Sequence, residues 1–222
     1  MWFETVTAPM SNANQRLQHP RALNRLHAKL VLASVACFAA SFPAGATLVP
    51  RMSLEQMTEA SDAVIHGTVV RAWPAWDSTR EFIWTHYEIR LTESMLGDAL
   101  DKVVLSEPGG TVGNDSMDIA GTPRYRIGEE VVLFTTRTPI GYLRTSGWGQ
   151  GRFDVVVNPR TGSKVVRSRL AGIELVEPAG AANAPNQRAG TSPKALDGLP
   201  LDQFKSRLRT LITNRQRLRG EH

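Results

Sequence analysis

The stretch FIWTHYEIRL, residues 82–91, places Thr85, Tyr87, Ile89 and Leu91 on one set of alternate positions and His86, Glu88 and Arg90 on the other. Successive strand side chains point to opposite faces, so this period of two predicts a β-strand with one buried face and one wet face. Working outward, residues 64–71 predict a strand before it, and 102–107, 131–136, 143–146, 152–157 and 164–167 predict strands after it. Gly97-Asp98 marks a turn, and Asn158-Pro159-Arg160-Thr161-Gly162 is expected to join two of the strands as a hairpin. A long polar loop runs from Pro108-Gly109-Gly110 to about Gly121, with 117–120 extended inside it. Many short strands with Gly and Pro turns, and no alternating helices, predict a mainly β protein, a small antiparallel OB-like barrel or sandwich.

Two helices flank the strands. Ser53-Leu54-Glu55-Gln56 has the form of a capping box and predicts a short helix over 54–60, with Leu54 and Met57 inward. At the other end, Leu201, Phe204, Leu208, Leu211, Ile212 and Leu218 recur with helical spacing, interleaved with Lys205, Arg207, Arg209, Arg215, Arg217 and Arg219. Residues 195–222 therefore read as a basic amphipathic helix, either docked on the barrel or free to meet an anionic membrane surface or a partner. Between barrel and helix, 171–194 is rich in Ala, Gly, Pro, Asn and Ser and reads mostly as a flexible linker.

The start of the chain is different again. Arg21, Arg25 and Lys29 precede the apolar run LVLASVACFAASFPAGA at 30–46, which closes on Ala44-Gly45-Ala46. A basic approach, a short apolar centre and a small-x-small exit are the parts of a cleaved secretory signal, so 1–46 is expected to be an arm and signal peptide and 47–170 the β-barrel domain. The apolar part is shorter than the roughly 20 residues of a membrane span. The one cysteine, Cys37, follows Ser34-Val35-Ala36, which makes a lipid anchor the alternative to simple cleavage. The reading places the protein outside the cytoplasm, in a periplasm or beyond, without disulfides to hold it, so a true hydrophobic core is required. The formal charge of +5 owes much to this arm. Without it the balance is near neutral, which gives no reason to expect a nucleic-acid partner.

Three segments carry a resemblance: Ala60-Ser61-Asp62-Ala63-Val64-Ile65-His66-Gly67-Thr68-Val69, then Leu96-Gly97-Asp98, then Gly128-Glu129-Glu130-Val131-Val132-Leu133-Phe134. Together they resemble a group of uncharacterised bacterial exported proteins and, more distantly, the netrin-like domain shared with tissue inhibitors of metalloproteinases. The resemblance implies an OB-type barrel over roughly 54–157. It does not bring protease inhibition with it, because those inhibitors chelate the protease zinc through an N-terminal cysteine and the expected first residue here is Thr47.

Candidate chemistry is sparse. Beyond the arm the histidines are His66, His86 and His222. His66 reads as a core or edge residue of its strand, while His86 and Glu88 share a strand face and would need a third ligand to hold a metal. That pair, with loop carboxylates, is the basis of an alternative reading as a metal-dependent envelope hydrolase. Asn114, Asp115 and Asp118 lack the spacing of an EF-hand loop, and Ser146 lacks the first glycine of a nucleophile elbow. No cofactor is implied. The stronger lead is aromatic: Trp73-Pro74-Ala75-Trp76 is expected in the loop between the first two barrel strands and Trp84 at the start of the next, with Arg71 and Arg80 flanking. In an OB barrel that region borders the face where oligosaccharides or oligonucleotides bind. These five residues are the candidate ligand site of an exported, non-enzymatic module binding a protein or glycan of the cell envelope; the competing reading is that the rings close the end of the barrel.

Overall fold

The structure, a computed structural model, describes residues 47–98, 100–169, 173–176 and 190–220. The signal and lipid-anchor readings, and the centre of the expected linker, lie outside the described residues. In chain order the elements are β1 (Thr47–Pro50), α1 (Leu54–Ala60), β2 (Ala63–Trp76), β3 (Ile83–Leu96), β4 (Lys102–Pro108), β5 (Gly110–Val112), β6 (Asp115–Met117), β7 (Glu130–Arg137), β8 (Leu143–Thr145), β9 (Arg152–Val157), β10 (Lys164–Ser168), β11 (Ile173–Val176) and α2 (Leu201–Gly220).

Seven strands form one sheet in the order β10-β9-β7-β2-β3-β4-β8, and β8 also pairs with β7. The consequence is a ring of five strands, β2-β3-β4-β8-β7, with β9 and β10 continuing outward from β7. All contacts around the ring are antiparallel except the closing one, a single parallel pair Leu105↔Leu143, so closure is partial. Among the described residues the protein is mainly β, an OB-like barrel with one α-helix before it and one after.

Alternation along the strands builds two cores. Ile65 and Val69 of β2, Tyr87 and Ile89 of β3, Leu105 of β4, and Val131 and Leu133 of β7 fill the ring, joined by Tyr125. The intervening Val64, Val132 and Phe134 point outward and would face water, but Leu54 and Met57 of α1 and Leu201, Phe204, Leu208 and Ile212 of α2 cover them. Residues 131–134 are thus buried on both faces, which is why that stretch reads as continuous apolar sequence rather than as alternation. Phe153 joins this outer core between Phe134 and Phe204, at ring separations of 5.9 and 4.8 Å.

The helices are set by local chemistry. The Ser53 hydroxyl accepts from the Gln56 N–H at 3.2 Å while the Ser53 N–H donates to the Gln56 carboxamide at 2.8 Å, completing the capping box. Along α2 the apolar stripe docks as far as Ile212, whereas Leu218 remains 64% exposed. Its basic residues are largely spoken for. Lys205 and Arg209 pair with Glu93 of β3 at 2.8 and 2.6 Å, Arg207 lies 3.8 Å from Glu55, and Arg215 and Arg219 lie 3.7 and 2.8 Å from Glu59. Surface pairs such as Arg209–Glu93 and Arg219–Glu59 add little stability singly, while Lys205 and Arg215 are the more shielded cations, and together the pairs tie the helix to α1 and β3.

Several segments depart from the sequence reading. The first barrel strand continues through Trp73-Pro74-Ala75-Trp76 rather than ending at Arg71. Proline is tolerated because β7 pairs with β2 only from Ala63 to Thr68, leaving the later part of β2 unpaired on that edge. The loop after β4 holds a short β5–β6 hairpin ending at Met117 instead of an extended 117–120. Within the stretch read as linker, Ile173–Val176 pairs in parallel with β1, and Pro193–Leu196 forms a 3-10 turn with Leu196 in the outer core.

Candidate functional site

The β2–β3 ladder carries register shifts, one of them between Val69 and Arg71. Beyond it Arg71 stands opposite Glu88, Trp73 opposite His86 and Ala75 opposite Trp84, and on the other edge of β3 His86 faces Ser106 and Glu88 faces Val104. Directly opposed residues share a face, so Arg71, Trp73, Trp84, His86, Glu88, Val104 and Ser106 lie together on the outer surface of the ring. Tyr142 is added from the turn between β7 and β8, where its N–H donates to the Thr138 hydroxyl at 3.0 Å and Gly141 takes the left-handed φ of +86° that the turn requires.

These groups form a continuous aromatic row. The rings of Trp73 and His86 are 5.4 Å apart, His86 and Tyr142 5.6 Å, and Tyr142 and Trp84 5.0 Å, the last two edge to face. Phe82, 43% exposed, extends the row 6.4 Å beyond Trp84. The Arg71 guanidinium lies 4.7 Å over Trp73, and that of Arg144 lies 6.0 Å from Trp84 and 5.2 Å from Trp148. Beside the row is a groove of about 520 Å³ lined by His86, Val104, Ser106, Arg137, Tyr142 and neighbouring residues. Its histidine shares a hydrogen bond between Nδ1 and the Ser106 hydroxyl at 2.8 Å, and burial holds its pKa below the usual histidine value, so it is neutral at pH 7.

The five sequence candidates are divided by this geometry. Arg71, Trp73 and Trp84 come together. Trp84 is only 8% exposed and serves as floor, with its shielded indole N–H lacking a partner among the described residues, while Trp73 is half-buried at the rim. Trp76 stands opposite Ile83 and so belongs to the other face of the ribbon. Arg80 sits exposed in the connecting turn at φ +59° and makes no contact with the rings. The residues that sequence reasoning did not assign to this site, Ser106, Tyr142 and Arg144, reach it through strand pairing and a turn distant in sequence. The aromatic character of Tyr142 beside Gly141 was the one available signal.

Behind this face the barrel encloses a polar network. Glu107 is fully buried; its carboxylate accepts from the Thr145 N–H at 2.8 Å and lies 3.5 Å from the Arg144 guanidinium. Burial raises its pKa to about 7 despite those partners. The Tyr125 hydroxyl bonds to that of Thr145 at 2.6 Å, and Arg152 lies 4.3 Å over the Tyr125 ring.

The other sequence candidates have structural partners. His66, 3% exposed, bonds to Glu130 at 2.9 Å, and Glu130 is held in turn by Lys164. The Ser146 hydroxyl is buried against that of Ser61 at 2.9 Å. Asp115 lies in β6, and Asp118 is 3.7 Å from Arg124. His86 and Glu88 do share a face, yet no cluster of three or more His, Cys, Asp or Glu side chains suited to a metal occurs among the described residues. The chain matches no protein-family model, and no curated protein sequence matches it.

Proposed function

We propose that this protein is an exported, non-enzymatic binding module whose aromatic row and adjoining groove take a protein or glycan partner of the cell envelope. The observation that carries the reading is the row Trp73–His86–Tyr142–Trp84 on the outer face of an OB-like barrel, beside a groove large enough for a sugar unit or a side chain. Planar rings with polar edges suit both classes of partner, since they stack on sugar faces and pack against apolar side chains. Export rests on the signal-like run at 30–46, and the resemblance to uncharacterised bacterial exported proteins, and more distantly to the netrin-like domain, rests on the three short motifs.

The reading as a metal-dependent hydrolase has less support, because His86 and Glu88 are already engaged with Ser106 and Lys102. The membrane-surface reading would require α2 to leave Phe134 and Phe153 uncovered, since its apolar stripe is occupied.

The test is capture by the immobilised chain from envelope extract separated into protein, glycan and lipid fractions, compared with a Trp73→Ala/Tyr142→Ala variant. Rings of this kind contribute about 0.5–1.5 kcal/mol each beyond simple burial. Loss of both therefore predicts a weakening on the order of tenfold, with little change in the unfolding midpoint because both sit at the rim. Equal capture by the variant sinks the proposal, and capture confined to the lipid fraction transfers the role to α2.

A further inference from the structure

We infer that the protein carries a second binding site, an arginine-lined cavity that takes a phosphate group. The cavity, of about 390 Å³, is walled by Gly121, Thr122, Arg124, Arg126, Arg152 and Arg169 together with Pro123 and Gly149, and shares no residue with the aromatic groove. It goes beyond the binding role proposed above and stands without it.

The wall is built rather than incidental. Arg152 is 1% exposed and immobilised: its Nε donates to Asp154 at 2.6 Å, one Nη to Glu129 at 2.7 Å and the other to the Arg124 carbonyl. Arg124 is held at its Nη1 by the carbonyls of Pro108 and Gly109 at 3.3 and 3.1 Å. Arg169 stands at longer range, 3.6 Å from Glu129 and 3.4 Å from Asp154, and the guanidinium of Arg126 has no partner among the described residues.

Charge then decides the ligand. Of the four arginines, Arg124 turns its guanidinium to the Pro108 and Gly109 carbonyls and to Asp118, while Glu129 and Asp154 offset Arg152 and Arg169, which leaves Arg126 as the uncompensated cation of the cavity among the described residues. Asp118, 3.7 Å from Arg124, is 96% exposed and screened by water. An excess of positive charge in a concave site favours an oxyanion able to accept several charge-assisted bonds, and the fork of a guanidinium matches phosphate geometry. Thr122 adds a shielded hydroxyl without a partner among the described residues. A carboxylate would use fewer of these donors, so a phosphate or phosphate monoester is the better fit.

The test uses the full chain in a non-phosphate buffer at low ionic strength. Calorimetric titration is carried out with inorganic phosphate, with glycerol 3-phosphate and with acetate, and vesicle co-sedimentation with phosphatidylcholine carrying phosphatidic acid. Saturable binding of phosphate or its monoester, stronger than acetate by at least tenfold, is expected. Arg126→Ser/Arg169→Ser should weaken it at least tenfold, and Arg126→Lys/Arg169→Lys should restore part of the loss. Both arginines are exposed, so the unfolding midpoint should stay in place and separate a lost site from a lost fold. Binding to the vesicles alone would identify the phosphate as that of a lipid headgroup; binding to soluble phosphate would identify a free ligand. Absence of saturable binding in every arm, or equal binding by the double serine variant, overturns the inference.

Discussion

Replacing Glu107 by glutamine should make the protein more stable at pH 8 while leaving it nearly unchanged at pH 5. The carboxyl is fully buried, and burial raises its pKa from 4.5 to about 7. Between those values the unfolded chain has released a proton that the folded chain still holds, so stability falls as pH rises through that window. Below pH 4.5 both states are protonated and the full contribution is present; above pH 7 it is gone. At about 1.4 kcal/mol per pH unit, the loss across the window is about 3 kcal/mol. Glutamine keeps an oxygen to accept from the Thr145 N–H at the 2.8 Å site but carries no charge to desolvate. Urea unfolding of both proteins from pH 5 to pH 8 measures the effect, and with a slope of about 2 kcal/mol/M the midpoints should diverge by about 1.5 M at the alkaline end. His66 and His86, whose pKa values burial lowers, push stability the opposite way, but they are common to both proteins and cancel in the difference. A difference that stays constant across the range would refute the reasoning and show that Arg144, 3.5 Å away, keeps the carboxylate ionised.

Phe204→Ala removes a fully buried ring that packs 4.8 Å from Phe153, so it should cost about 3–5 kcal/mol, read as a fall of about 2 M in the urea midpoint, whereas Leu218→Ala on the exposed end of the same helix should change it by less than about 0.5 kcal/mol. Equal behaviour of the two variants would mean that the helix is not docked. Gly67→Ala would set a methyl against the Arg90 carbonyl and 2.8 Å from Ile89, at a position where two backbones must approach closely. About 3 kcal/mol of destabilisation is expected, with thermal melting as the check.

The sequence made some of this legible and concealed the rest for identifiable reasons. Tyr87, Ile89 and Leu91 packed on the inner core as their alternation required, and the capping box at Ser53 formed as written, because both signals depend on neighbours a few residues away. The Trp73-Pro74-Ala75-Trp76 segment misled because proline usually breaks a strand, and here an unpaired edge admits it. Reading it as a loop grouped Trp73 with Trp76; on a strand, residues three apart point to opposite faces, and only Trp73 joins the aromatic row. Ser106, Tyr142 and Arg144 could not be assigned locally: Ser106 reaches His86 through the β3–β4 pairing, and Tyr142 and Arg144 come in where β7 and β8 close the ring. Ile173–Val176 was masked by its Ala, Gly and Pro surroundings and pairs with a strand at the far end of the domain.

The order in which the core is assembled follows from where its cover lies. Phe204, Leu208 and Ile212, which shield Val132, Phe134 and Phe153, belong to α2, the last of the described elements. During synthesis the barrel strands emerge well before that cover, so a nascent chain has its inner core available and its outer core still wet. A truncated product ending before Leu201 would expose a phenylalanine-rich surface and aggregate or be degraded. Docking of α2 is thus the step that takes the outer core out of water.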